Sequence, residues 1–190
     1  MNKLVYGVLI GVALAQLHGC AATLAGGAVA GTAAALDRRT AGVFIGDQEI
    51  ELRAMNRLRE AFAKGSASIS ATSFNRQVLL TGQVPDQAAR ARATEIVKGV
   101  PDVRTVFNEL SVSGLSSLTS DAGDAALTGK VKTRLLRSER VPGANVKVVS
   151  ETGVVYLMGL VTDSEAHEAT EIARTTAGVT KVVTLFEYIK

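Results

Sequence analysis

Few side chains in this sequence could do chemistry, and their spacing decides which kind. Cys20 is the only cysteine, so an internal disulfide is excluded. It closes an apolar N-terminal stretch, in which Lys3 precedes the run Leu4 to Leu14 and Leu17-His18-Gly19 leads into the thiol. These are the n-region and h-region of a secretory signal, too short for a membrane span. His167 shares a polar helical face with Glu168 and Glu171. His167 and Glu171, at i and i+4, could hold a metal weakly, but a surface pair is the simpler reading. Asp86 and Asp163 fall at helix starts, where a carboxylate satisfies free backbone N–H groups and the helix dipole. Neither a glycine-rich phosphate loop nor a G-x-S-x-G elbow occurs. The chain is expected to be no enzyme and to need neither metal nor cofactor.

A different chemistry is spread along residues 124 to 140. Lys130, Arg134 and Arg137 lie at i, i+4 and i+7, on a helical face away from the apolar line Leu127, Val131 and Leu135. Such a stripe suits an anionic surface. Acids gather on a different segment, at Asp163, Glu165, Glu168 and Glu171. The whole chain carries only +3 at a pI near 9.2, so the charge is segregated rather than large.

The elements that must carry these residues come in two copies. Val78-Leu-Leu-Thr-Gly-Gln-Val84 returns as Val155-Tyr-Leu-Met-Gly-Leu-Val161, and Ile50, Arg57, Leu58, Ile69, Gly82 and Asp86 recur as Leu127, Arg134, Leu135, Val146, Gly159 and Asp163. The constant offset of 77 positions marks a duplicated small domain, not a solenoid unit. In the first copy a helix is expected over 47–62, strands over 69–74 and 78–84 around an Asn75-Arg76 turn, a helix over 86–98, and a strand over 103–112. The second copy gives a helix over 124–140, strands over 146–149 and 154–161, a helix opened by the capping box Thr162-x-x-Glu165, and a strand over 179–189. Each copy reads αββαβ: an α+β fold in which two amphipathic helices cover one face of a small mixed sheet. The polar segment 113–123 is the linker, and the two domains are expected to touch. Upstream, residues 21–36 are Ala-rich with interior glycines, which favours a tether over a rigid helix, although a helix docked on the domains is the alternative. Val43-Phe44-Ile45 reads as a short strand. Asp37-Arg38-Arg39 is a headgroup contact, a solvated charge cluster or a salt bridge to the domains.

These residues resemble known families at two places. Leu17-His18-Gly19-Cys20 resembles a bacterial lipobox, which implies cleavage before Cys20 (residues 1–19 being the signal), lipidation of its thiol with palmitate-like chains, and a tether over 20–46. Ala21 after the cysteine implies an outer-membrane, periplasm-facing anchor. The V-x-L-x-G-x-V strand between amphipathic helices, closed by Gly99-Val-Pro-Asp-Val103 and Gly178-Val-Thr-Lys-Val182, resembles the BON domain, over 47–112 and 124–190. Lipobox and paired domains together resemble dual BON-domain outer-membrane lipoproteins. That resemblance implies binding of anionic phospholipids such as phosphatidylglycerol and support of envelope integrity. The site it points to is Ala126, Leu127, Lys130, Arg134 and Arg137. Relatives of this kind often carry tryptophan where this chain has Ala126, so charge-driven contact is expected over deep insertion, with Leu127 and Leu118 as partial substitutes. A periplasmic scaffold that binds an envelope protein or peptidoglycan, through strand edges or the acidic helix, is the alternative. Export excludes a nucleic-acid partner.

Overall fold

The first repeat places α1 (Ala41–Ala61) before the hairpin β1 (Ser68–Phe74) and β2 (Gln77–Val84), followed by α2 (Gln87–Lys98), β3 (Thr105–Asn108) and β4 (Ser111–Val112). The second runs α3 (Asp121–Arg137), a 3-10 turn (Gly143–Asn145), β5 (Val146–Glu151), β6 (Val154–Val161), α4 (Asp163–Arg174) and β7 (Lys181–Tyr188). These elements come from a computed structural model, which describes residues 37–113 and 121–190. The signal segment, Cys20, the Ala-rich tether and Leu118 lie outside the described residues.

In each repeat the central strand pairs antiparallel with its hairpin partner and parallel with the closing strand, so β2 carries β1 on one side with β3 and β4 on the other, and β6 carries β5 and β7. This is the mixed sheet that two helices and a hairpin require. Alternation along the central strands then builds three cores. Val78, Leu80 and Val84 face α1 and α2 and pack with Ile50, Ala54, Leu58, Ala93 and Val97. Val155, Leu157 and Val161 face α3 and α4 and pack with Leu127, Val131, Leu135, Ala166 and Ala169. The residues between them, Leu79 on β2 and Tyr156 and Met158 on β6, point the other way and pack with Phe74. The two sheets therefore meet face to face, giving four layers: helices, sheet, sheet, helices. Polar contacts ring this junction. Lys147 Nζ bonds Glu51 Oε1 at 2.6 Å and Asn75 Nδ2 donates to Glu187 Oε1 at 2.7 Å.

Both hairpins turn tightly through residues with positive φ, Asn75 and Arg76 in the first and Thr152 and Gly153 in the second, as two-residue hairpins favour. Each turn is held by a carboxylate at the same repeat position. Asp47 accepts from Asn75 N (2.8 Å) and Arg76 N (2.7 Å), and Asp124 from Thr152 N (2.8 Å) and Gly153 N (3.1 Å). Gly82 and Gly159 sit where the hairpin neighbour comes closest. A Cβ on Gly159 would lie 2.8 Å from Asn145 O, and one on Gly82 would collide with Ser68 O.

Three expectations need correction. Val43-Phe44-Ile45 is helical, not a strand, because Thr40 caps α1 by accepting from Val43 N, so the helix starts six residues before position 47. The strand expected over 103–112 is two. Leu110 turns into the core between them, and Asn108 Oδ1 accepts its N–H at 3.1 Å. α3 spans 121–137 rather than 124–140, and Arg140 lies beyond its end, paired with Glu168 at 3.6 Å.

Candidate functional site on the basic helix

α3 is amphipathic for the reason its sequence suggests. Leu127, Val131 and Leu135 are buried, and Ala126, Lys130 and Arg137 on the other side are exposed. Leu127 thus belongs to the core of the second domain, 6% exposed, and contributes to the site by seating the helix. Neither Lys130 nor Arg137 has a hydrogen-bond or ion-pair partner among the described residues.

Arg134 behaves differently. One guanidinium nitrogen donates to Ile172 O (2.8 Å) and Thr176 Oγ1 (2.7 Å), and the other to Thr175 Oγ1 (3.0 Å). It clasps the C-terminal end of α4, where backbone carbonyls lack helical partners and the dipole favours a cation. Its counterpart in the first domain does the same: Arg57 donates to Gly99 O at the C-cap of α2, at 2.6 Å. Lys132 is likewise engaged below the stripe, bonding Gly143 O (2.7 Å) and Val146 O (2.6 Å). Sequence reasoning placed Arg134 with the free cations. Its identity with Arg57 across the repeat was the signal for a structural role. Leu136, 59% exposed on the flank of the same helix, was not singled out by the sequence either, since it lies off both the apolar line and the basic stripe.

Three of the acids on α4 are paired with arginines. Glu165 pairs with Arg38 at 2.6 Å, Glu168 with Arg140 and Glu171 with Arg174 at 2.6 Å. Glu165 also closes the capping box with Thr162. The Arg38 guanidinium holds its carboxyl well below the usual range, at about 2. Arg38 further donates to Leu160 O (2.9 Å), while Arg39 turns to the first domain and pairs with Asp47 at 2.7 Å, over the Phe74 ring. The consecutive arginines thus make the salt-bridge reading of this segment the observed one. His167 is exposed, and among the described residues no three His, Cys, Asp or Glu side chains converge on a metal position.

The second domain therefore displays a helix with two free cations, an exposed alanine and an exposed leucine, while Glu165, Glu168 and Glu171 on α4 are paired. Comparison with known proteins agrees with the duplication. The BON domain matches residues 46–114 and again 123–190. The chain is 39% identical to the outer membrane lipoprotein DolP of Haemophilus influenzae over 96% of its own length and 94% of that protein's. It is 32% identical to a 21 kDa hemolysin of Actinobacillus pleuropneumoniae, covering 82% of this chain and 80% of that one. It also shares 35% identity with the osmotically-inducible protein Y of Escherichia coli, over 74% of this chain and 72% of that one. With two copies of the domain and relatives matched nearly end to end, the chain belongs to the BON domain family, as a dual BON-domain protein closely related to the DolP outer membrane lipoproteins.

Proposed function

We propose that this protein is a periplasmic lipoprotein, anchored in the outer membrane through acylated Cys20, whose second BON domain binds anionic phospholipid such as phosphatidylglycerol and so supports envelope integrity. One observation carries the lipid contact: Lys130 and Arg137 are exposed and unpaired on α3, whereas Glu165, Glu168 and Glu171 are each held by an arginine. An anionic bilayer meeting this face of α3 encounters the unpaired charges of Lys130 and Arg137, at about 1 kcal/mol per Lys or Arg near the surface. Ala126 lets the helix lie close to the headgroups, and Leu136 adds an apolar side chain beside them. Leu127 and Arg134 serve the same site from beneath, one by packing and the other by tying α3 to α4. Acylation fits this weak, salt-sensitive contact, since an acyl anchor keeps the domain beside the leaflet that it reads.

The test has two arms. Replacing Cys20 with Ala should abolish incorporation of labelled fatty acid and release the protein from sedimented envelopes; undiminished labelling would refute the anchor. Residues 37–190 should sediment with phosphatidylglycerol vesicles and not with phosphatidylcholine vesicles, and less so as salt shortens the screening length to about 8 Å at 0.15 M. Binding indifferent to lipid charge would favour a scaffold that engages an envelope protein or peptidoglycan.

A further inference from the structure

The two copies differ at the end of their first helix, and the difference leaves a recess in the first domain. A cavity of about 580 Å³ opens between the last turn of α1 and the start of β1, within the size range of small-molecule sites. Its apolar lining comes from Leu58, Phe62, Ala67 and Ile69, with Met55 behind. Arg59 and Lys64 stand at its rim. Neither cation has a hydrogen-bond or ion-pair partner among the described residues, and no acid lines the cavity.

The second domain fills the same space with its own chain. The residue in the register of Lys64 is Val141, which is 3% exposed and part of the core. In the place of Met55 stands Lys132, whose ammonium bonds Gly143 O and Val146 O across the gap. The loop there is pressed against the helix so closely that a Cβ on Gly143 would lie 2.7 Å from the Leu135 backbone. In the first domain the lysine replaces the valine, points out, and leaves apolar side chains half-buried beneath it.

We infer that this recess is a binding site for a single-chain anionic amphiphile, its chain taking the place that Val141 fills in the sister domain and its head meeting Arg59 and Lys64. The chemistry favours an acyl chain over a peptide. Only Ser68 and Ile69 of β1 border the cavity, too short an edge to add a strand, and a peptide backbone buried there would lack partners for its polar groups. An acyl chain has none to satisfy. Opposite charge at the mouth then selects the head.

The probe is dodecanoate, kept below its micelle concentration and titrated into isotope-labelled residues 37–190, a segment that contains all three apolar clusters and so carries its own core. Saturable amide shifts should centre on Phe62, Ala67 and Ile69, and dodecyltrimethylammonium should bind at least tenfold more weakly. Lys64→Val, which copies the sister domain, should fill the recess and raise the dissociation constant at least tenfold. The paired surface changes Arg59→Gln and Lys64→Gln should weaken dodecanoate while leaving the neutral dodecyl maltoside within about threefold. The proposal is overturned by shifts that centre on α3, by shifts that run along Ser70 to Phe74 as a strand-adding peptide site would give, by equal binding of the cationic probe, or by unchanged affinity in the folded variants.

Discussion

Arg134 shows how one residue can mislead a reading made by spacing. On a helical wheel it stands with Lys130 and Arg137, and its charge invites assignment to a lipid-facing stripe. Three hydrogen bonds to the end of α4 give it another task. Hydrogen bonds made by a charged group contribute about 1.5–3 kcal/mol each in favourable cases, so Arg134→Ala should lower unfolding stability by about 1–3 kcal/mol in urea. Lys130→Ala, which breaks no contact among the described residues, should stay within about 0.5 kcal/mol. Equal effects of the two substitutions would return Arg134 to the free stripe. What the sequence showed at this scale was periodicity, which places a side chain on a face. It does not show whether a neighbouring helix ends within reach of that side chain. Gly82 and Gly159 were legible for the opposite reason: a glycine inside a strand has few explanations, and close approach of another backbone is the one found.

Elements were legible where apolar periodicity ran uninterrupted, as in β2, β6 and α4. They were blurred where a cap or a side-chain hydrogen bond sets the boundary. Thr40 begins α1 upstream of two glycines and the β-branched Val43 and Ile45, which argue locally against a helix, and the packing of Ile50, Ala54 and Leu58 overrides that local preference. α4 carries the clearest element-scale consequence. Its first turn is fixed from outside, by Arg38 on Glu165, as well as by its own capping box. Glu165 has a depressed carboxyl pKa in the fold, so the stability it contributes is fully present above its ordinary value of 4.5 and is lost as pH falls toward about 2. Arg38→Met should therefore lower the melting temperature at pH 7 and at pH 5 alike, and the gap from the parent should close between pH 4.5 and about 2. A gap that persists unchanged at pH 2 would show that Arg38 acts through its bond to Leu160 O and its packing, not through Glu165.

Across the whole molecule, the duplication yields a four-layer body in which Leu79, Tyr156, Met158 and Phe74 join the two sheets. The repeat announced two domains, and alternation announced one buried face on each sheet. The second face was not announced, because Thr81, Gln83 and the short residues of β1 dilute its apolar pattern. Tyr156 reports on this junction. Burial and the neighbouring Glu109 and Glu151 push its phenol up to about 12 from 10.0, whereas Tyr188 is 62% exposed. A tyrosine held neutral in the fold contributes stability below pH 10 that is lost as pH rises toward about 12. In a Tyr188→Phe form of residues 37–190, phenolate absorbance should rise only toward pH 12, together with loss of folded structure; a rise near pH 10 in the folded protein would mean that the sheets do not seal Tyr156. The central claim is that free charge on the second domain, not charge in general, meets the membrane. In the first domain Arg53 and Lys98 are tied to Glu49 and Glu95, so reversing them to Glu alters net charge as much as reversing Lys130 and Arg137 does. Co-sedimentation of both folded double variants with phosphatidylglycerol vesicles at low salt separates the two cases. Lys130→Glu with Arg137→Glu should nearly eliminate binding while Arg53→Glu with Lys98→Glu retains most of it; equal loss in both, or loss only in the first-domain variant, would contradict the assignment.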